Sequence, residues 1–196
     1  MAYLRISEAR AVGSATRSRV QKSADQILRE EKRAQKSDAT YDVFLSHSYD
    51  DAEVILGVKK IIEGLGLTVY VDWIDDAKLD RSKVTKETAG VLRLRMRACS
   101  SLVYAHSPNT ADSKWMPWEL GYFDGIKGNS VWILPLVSDY DGEFKQQEYL
   151  GLYPTVDKIS GLAGQLNLGF TNVGELKETI PLTKAARGVG VFYKTA

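Results

Sequence analysis

From Tyr41 to about Pro154, short β-rich runs alternate with longer runs of helical periodicity, and this alternation limits the fold more than any other feature. YDVFLSH reads as a first strand. DAEVILGVKKIIEGLG follows, with Val54, Ile55, Val58, Ile61, Ile62 and Leu65 at helical spacing and Gly64 and Gly66 at a helix C-terminus. LTVYVDW reads as a second strand, Asp75 to Val84 as a polar loop, and Lys86 to Ala98 as a helix. SLVYAHS is a third strand, WELGYFDGIKG a short helix and SVWILPLV a fourth strand. YLGLYPTV reads as a weaker fifth strand, with Pro154 near its end. TNVGELKETIPLTKAA reads as a closing helix broken at Pro181.

Such alternation implies a mostly parallel sheet with helices on both faces. The central strands are nearly continuous apolar runs, as strands buried on both faces should be. A chain of 196 residues, 44% hydrophobic, can bury one good core. We therefore expect one α/β domain over residues 41–196, its core at 41–154, preceded by an extension over residues 1–40. That extension holds nine basic and five acidic residues, against a net charge of +1 for the whole chain. Ala15 to Lys36 contain no proline or glycine, and Val20, Ala24, Ile27 and Leu28 fall near one helical side. The extension reads as a basic, weakly amphipathic helix, either packing or offering a contact surface.

The near-neutral charge argues against nucleic acid or a membrane surface as partner. No aromatic interleaving in the basic segment suggests a nucleic-acid groove. No apolar run approaches the ~20 residues needed to span a bilayer, and the N-terminus lacks a signal-peptide h-region. A soluble, cytoplasmic protein is the expectation. Cys99, the only cysteine, reads as a small buried hydrophobe rather than a nucleophile.

In a doubly wound sheet, ligands bind beyond the carboxyl ends of the strands, where the winding direction reverses. With strand one between strands two and three, that point lies between the loops His47–Asp51 and His106–Thr110. The chain's two histidines then share one end of the sheet. A histidine at a strand end serves a structural hydrogen bond at least as often as a reaction. Trp115, Pro117, Trp118 and Glu119 open the helix after strand three, where Pro117 suits the first turn. Glu119 is either a capping carboxylate or a carboxylate beside aromatic faces, able to hold a ribose diol while a ring stacks on tryptophan.

These same residues resemble the Toll/interleukin-1 receptor (TIR) family. YDVFLSHSYDD resembles its first-strand motif, VYVDW and the polar loop its second strand and BB loop, and SKWMPWELGYFDG its Trp-x-x-x-Glu segment. The resemblance implies a flavodoxin-like fold with five parallel strands in the order 2-1-3-4-5. It also implies, as in bacterial members that consume NAD+ in antiphage defence, cleavage of the nicotinamide–ribose bond to ADP-ribose or a cyclic ADP-ribose signal. The chain is then an enzyme of NAD+ glycohydrolase or ADP-ribosyl cyclase type. On that likeness Glu119 is the catalytic residue. Ser46, His47, Ser48, Trp73, Asp75, Ser107 and Trp115 are the substrate-binding candidates. His47 and Ser48 stand where some members place tyrosine or arginine. The family further implies self-association through the loop after strand two and a downstream effector that responds to the product.

The chemistry is compatible with these side chains. Nicotinamide leaves NAD+ as a neutral molecule, so no strong general acid is needed, and the ribose passes through an oxocarbenium-like state that a carboxylate stabilises. No metal-ligand cluster stands out, so neither metal nor cofactor is expected, with NAD+ as substrate. The alternative is a TIR scaffold acting only through homotypic association. A phospho-receiver would need an aspartate at the end of strand three, where Ala105-His106-Ser107 stand. A serine hydrolase would need a G-x-S-x-G elbow, and adjacent serine and histidine would point to opposite sides of a strand.

Overall fold

The expected strands one to four form where the apolar runs lie. The structure, a computed structural model, describes residues 3–34, 39–71, 85–140, 144, 147–160, 166–170 and 180–186. In chain order the elements are β1 (Leu4–Arg5), α1 (Ile6–Val20), α2 (Ala24–Ala34), β2 (Tyr41–Ser46), α3 (Ala52–Gly64), β3 (Val69–Val71), α4 (Lys86–Arg97), β4 (Cys99–His106), α5 (Met116–Lys127) and β5 (Val131–Val137). After them come β6 (Asp157–Ser160), β7 (Leu166–Phe170), β8 (Ile180–Pro181) and α6 (Leu182–Ala186). The main sheet has the order β1-β5-β4-β2-β3, and all its pairs are parallel. Counted from Tyr41, its first four strands run 2-1-3-4, as expected for this α/β class.

The fifth position differs from the sequence reading. YLGLYPTV is not a continuous strand: Glu148–Leu152 form a 3-10 turn. Only the segment after it reaches the sheet, where Ile133 N–H donates to the Pro154 carbonyl at 3.0 Å and Val156 N–H donates to the Ile133 carbonyl at 2.7 Å. Further along β5, the N-terminal β1 takes the same edge, pairing Leu4 with Leu136 and Arg5 with Val137. Two short segments thus share one strand position. Pro135 stands between them, and having no N–H it cannot support an unbroken ladder there. The residues after Thr155 turn away into a second sheet, antiparallel, of order β6-β7-β8.

The N-terminal segment forms two helices, α1 and α2, broken at Gln21–Ser23, rather than the one helix expected from about Ala15 to Lys36, and both pack on the core. Ala24, Ile27 and Leu28 are buried, but Val20 is 50% exposed and lies outside the apolar side. Helix α1 crosses α3 at glycines: a Cβ on Gly13 would sit 2.2 Å from the Glu53 carbonyl oxygen, and one on Gly57 would sit 1.8 Å from that of Ala9. Only the bare backbone permits such an approach. Helix α3 buries Val54, Ile55, Val58 and Ile62 and ends at Gly66, whose φ of 81° is the left-handed cap glycine accepts readily. Of the expected closing helix, residues 171–179 lie outside the described residues; Ile180–Pro181 form β8 and Leu182–Ala186 form α6.

Alternating strand residues divide the core into two layers. Val43, Leu45, Val69, Val71, Val103, Leu134 and Leu136 face α1, α2 and α3. Phe44, Tyr70, Leu102, Tyr104 and Ile133 pack with Leu92 and Met96 of α4 and with Met116, Leu120 and Phe123 of α5. Ser46, two residues beyond Phe44, belongs to this second, aromatic side.

Candidate functional site

Three elements converge at the carboxyl end of the sheet. Strand β2 ends at Ser46, β4 places Tyr104 directly opposite it in register, and the first turn of α5 supplies Glu119. Pro117 lies in that first turn, where its missing N–H costs nothing. The Met116 N–H is capped by the Ser113 hydroxyl at 3.3 Å, and the Glu119 N–H bonds the Trp115 carbonyl at 2.8 Å. Helix entry is therefore served by other groups. Glu119 turns toward the sheet instead, and the Ser46 hydroxyl donates to its Oε2 at 2.6 Å. The carboxylate is 1% exposed, and a bond this short fits a charge-assisted contact.

Tyr104 completes this buried group. Burial above all, then the neighbouring Tyr149 hydroxyl, then the Glu119 charge, push the Tyr104 hydroxyl well above the usual phenol range. It therefore remains a neutral phenol at any physiological pH. His106 lies two residues along β4, stacked on Tyr104 with ring centres 6.4 Å apart and edge-on to Phe144 at 5.1 Å. Burial lowers its pKa, favouring a neutral imidazole. Phe144 in turn packs edge-on to Tyr3, at 5.8 Å. The N-terminal residues thereby reach the aromatic side of the site.

The two loops of the switch point are tied to each other. The Asp51 carboxylate accepts from the Ser107 hydroxyl and, at 2.8 Å, from the Asn109 amide. The Ser107 N–H donates to Thr110 Oγ1 at 2.8 Å, fixing the following 3-10 turn. His47 is 2% exposed, with Nδ1 3.0 Å from the Leu45 carbonyl oxygen. A carbonyl only accepts, so this contact sets the proton on Nδ1. Ser48 is buried beside it.

A cavity of about 370 Å³ opens between the start of α4 and the start of α5. Thr85, Lys86, Ala89, Arg93, Lys114, Trp115 and Trp118 line it. The Trp115 and Trp118 rings meet edge to face at 5.5 Å and make an aromatic corner. The Arg93 guanidinium lies over Trp118 at 5.4 Å and over Tyr122 at 5.9 Å. Trp115 lines this cavity and stands one helical turn before Glu119. Among the described residues, no group of three or more His, Cys, Asp and Glu could hold a metal ion.

This layout has recognisable relatives. A Bacillus cereus (strain MSX-D12) protein named "Probable 3' cyclic ADP-D-ribose synthase ThsB'" is 58% identical over 137 residues, which is 69% of this chain and 70% of that protein. This chain belongs to the bacterial TIR-domain proteins. A Cytobacillus dafuensis protein named "Putative cyclic ADP-D-ribose synthase TIR2" is 30% identical over 139 residues, covering 70% of this chain but only 36% of that relative. The solved TIR domain of the Toll-related receptor TRR-2 from Hydra magnipapillata superposes with a TM-score of 0.42 at 19% identity, covering 59% of this chain and 84% of that one. No family model matches the chain.

Within this TIR domain, the structure brings together Glu119, Ser46 and Trp115 from among the residues singled out in the sequence. His47, Ser48 and Ser107 surround the same end of the sheet, with Ser107 engaged in the clamp to Asp51. Trp73 and Asp75 lie outside the described residues. Tyr104, Arg93 and Lys114 were not singled out. The alternation of β4 marks Tyr104 as sharing a face with His106, but its position opposite Ser46 depends on register. Arg93 carries no motif, Lys114 lies within the Trp-x-x-x-Glu segment without being one of its marked residues, and the packing of α4 and α5 joins them. No helix among the described residues is long and apolar enough to cross a membrane.

Proposed function

We propose that this TIR domain breaks the nicotinamide–ribose bond of NAD+, yielding ADP-ribose or a cyclic ADP-ribose-type signal in bacterial antiphage defence. The observation that carries this reading is the 58% identity to a protein named as a 3' cyclic ADP-D-ribose synthase. The buried Glu119, oriented by Ser46 four residues after Trp115, supplies a matching chemical group. The C–N bond to nicotinamide breaks with its electron pair leaving on the ring nitrogen. Positive charge develops on the ribose, and the Glu119 carboxylate stabilises it and orients the ribose hydroxyls. Attack by water, with loss of its proton, gives ADP-ribose. Attack by a hydroxyl or ring nitrogen of the same molecule gives a cyclic product, and the aromatic enclosure favours that outcome by excluding water. Self-association through the loop after β3, and an effector that binds the product, belong to the same reading.

The test is nicotinamide release from NAD+ by the purified chain, at low and high protein concentration. Glu119→Gln preserves shape and can still accept the Ser46 hydroxyl, so it leaves the fold intact. By the scale of lost transition-state electrostatics, turnover falls at least about 100-fold. Full turnover by the folded variant removes Glu119 from the chemistry. A wild-type chain inactive even when concentrated leaves the scaffold reading instead.

A further inference from the structure

We propose that the cavity between α4 and α5 is the subsite for the ADP half of the substrate, with the diphosphate held by Lys86, Arg93 and Lys114 and the flat base against the tryptophan corner. This rests on the reading of the protein as an NAD+-cleaving enzyme and assigns the orientation of that substrate. Among the described residues that line the cavity, the three charged side chains are all cations. The remaining lining is Trp115, Trp118, Ala89 and Thr85. Such a surface suits an anion attached to an aromatic ring. A volume of about 370 Å³ lies near the lower end of the range for small-molecule pockets. It suits half of a dinucleotide better than the whole.

Charge decides which half. The nicotinamide ring of NAD+ is a cation, and three cations would repel it from this hollow. The carboxylate of Glu119 favours it. The diphosphate has the reverse preference. The cationic hollow and the Glu119 carboxylate, one turn of α5 beyond Trp115, are therefore complementary to the two ends of the substrate. Arg93 is also pre-ordered by the Trp118 and Tyr122 rings, which reduces what it loses on binding a phosphate. Ala89 keeps the cavity floor open, since any larger side chain there would project into the hollow.

The experiment uses the full chain and two readouts. Calorimetric titration with ADP and with inorganic pyrophosphate measures the subsite without turnover, and steady-state kinetics with NAD+ measures its use. Lys114→Gln and Arg93→Gln alter exposed side chains and leave the core intact. Loss of one charge-assisted phosphate contact corresponds to about a tenfold weaker ADP affinity, and KM for NAD+ rises by a similar factor while kcat changes little. Ala89→Leu, which fills the cavity, is expected to abolish ADP binding. Its near-ultraviolet circular dichroism reports whether the fold survives, and the two glutamine variants stand independently of it. Unchanged ADP affinity and KM in both glutamine variants overturn the assignment even if NAD+ is turned over. ADP binding that depends on Arg93 and Lys114, in a chain that never releases nicotinamide, supports the subsite and overturns the enzymatic reading instead.

Discussion

The two sides of the main sheet are built for different ends. On one side, α1, α2 and α3 pack aliphatic residues against Val43, Leu45 and Val103, and α1 meets α3 through Gly13 and Gly57 with no space between backbones. On the other, α4 and α5 cover Phe44, Tyr70 and Tyr104 with larger aromatic and thioether side chains and leave a cavity at their N-terminal ends. The first side is closed at that crossing by the close approach of the two backbones. The second cannot close as tightly, because Trp115 and Trp118 are large and meet at an angle. We expect stability to rest on the first face and the proposed chemistry on the second, so substitutions on the two faces should affect different measurements.

The largest expected effect tests that separation from the packed side. Gly57→Val places a Cβ where the Ala9 carbonyl oxygen lies, so α1 and α3 must move apart. Overpacking of this kind costs about 3 kcal/mol, and backbone contacts leave little room for relaxation. Denaturant unfolding should show that loss, while nicotinamide release per folded molecule stays near wild type. Glu119→Gln should do the opposite, with activity lost and the unfolding midpoint retained. A Gly57→Val protein that is fully stable, or folded but inactive, would show that the two faces are not independent.

Ser46→Ala brings the comparison closer, because Ser46 ends a core strand and touches the Glu119 carboxylate. Ser46 is a positioning residue for Glu119 in this scheme. Removing a hydrogen bond to a charged group corresponds to roughly a tenfold loss in kcat. The KM for NAD+ should move little, since the hydroxyl acts through Glu119. Ser46→Thr retains the hydroxyl and suits a strand, so it should recover most of the activity. Equal losses in the alanine and threonine variants would mean that packing, not the hydroxyl, matters at this position.

How much of this could be read beforehand follows the same division. The order of β2 to β5 was legible because each apolar run is bounded by glycine or a polar loop, and because doubly buried strands need no partner identified in advance. Glu119 is a candidate through its spacing from Trp115, and the helix-capping role open to it is taken by Ser113. Strand β1 was not legible, since Leu4–Arg5 is too short to show alternation. It becomes a strand only because β5 offers it an open edge. The Gly13–Gly57 contact was hidden for a similar reason. Each glycine alone is merely a weak helix former, and the close approach exists only once both helices are placed. Tyr104 and Arg93 depend on strand register and helix crossing, which local sequence does not encode.

The smallest effect lies where α2 meets α3 on the packed side. Lys59, 4% exposed, bonds Glu31 at 2.7 Å, and Lys60 bonds Glu31 at 2.6 Å and Glu63 at 2.9 Å. Burial acts to raise the Glu31 carboxyl, but hydrogen bonds from Lys59 and Lys60 outweigh it, and the net shift is below the ordinary 4.5. Burial acts to lower Lys60, while Glu31 and Glu63 carry it above the ordinary 10.5. A lowered carboxyl contributes stability that is fully present above 4.5 and is lost as pH falls through the folded value. A raised ammonium contributes stability that is present below 10.5 and is lost as pH rises through its folded value. Glu31→Gln should therefore flatten the acid side of the stability profile, by about 1 kcal/mol or less for pairs this close to solvent. Chemical unfolding at pH 7 and near pH 3 measures it, with wild type and variant converging at the lower pH. A constant difference at both pH values would assign the effect of Glu31 to packing rather than charge. If nicotinamide release per folded molecule followed the same acid-side change in the variant, the ion cluster of one face would be coupled to the chemistry of the other.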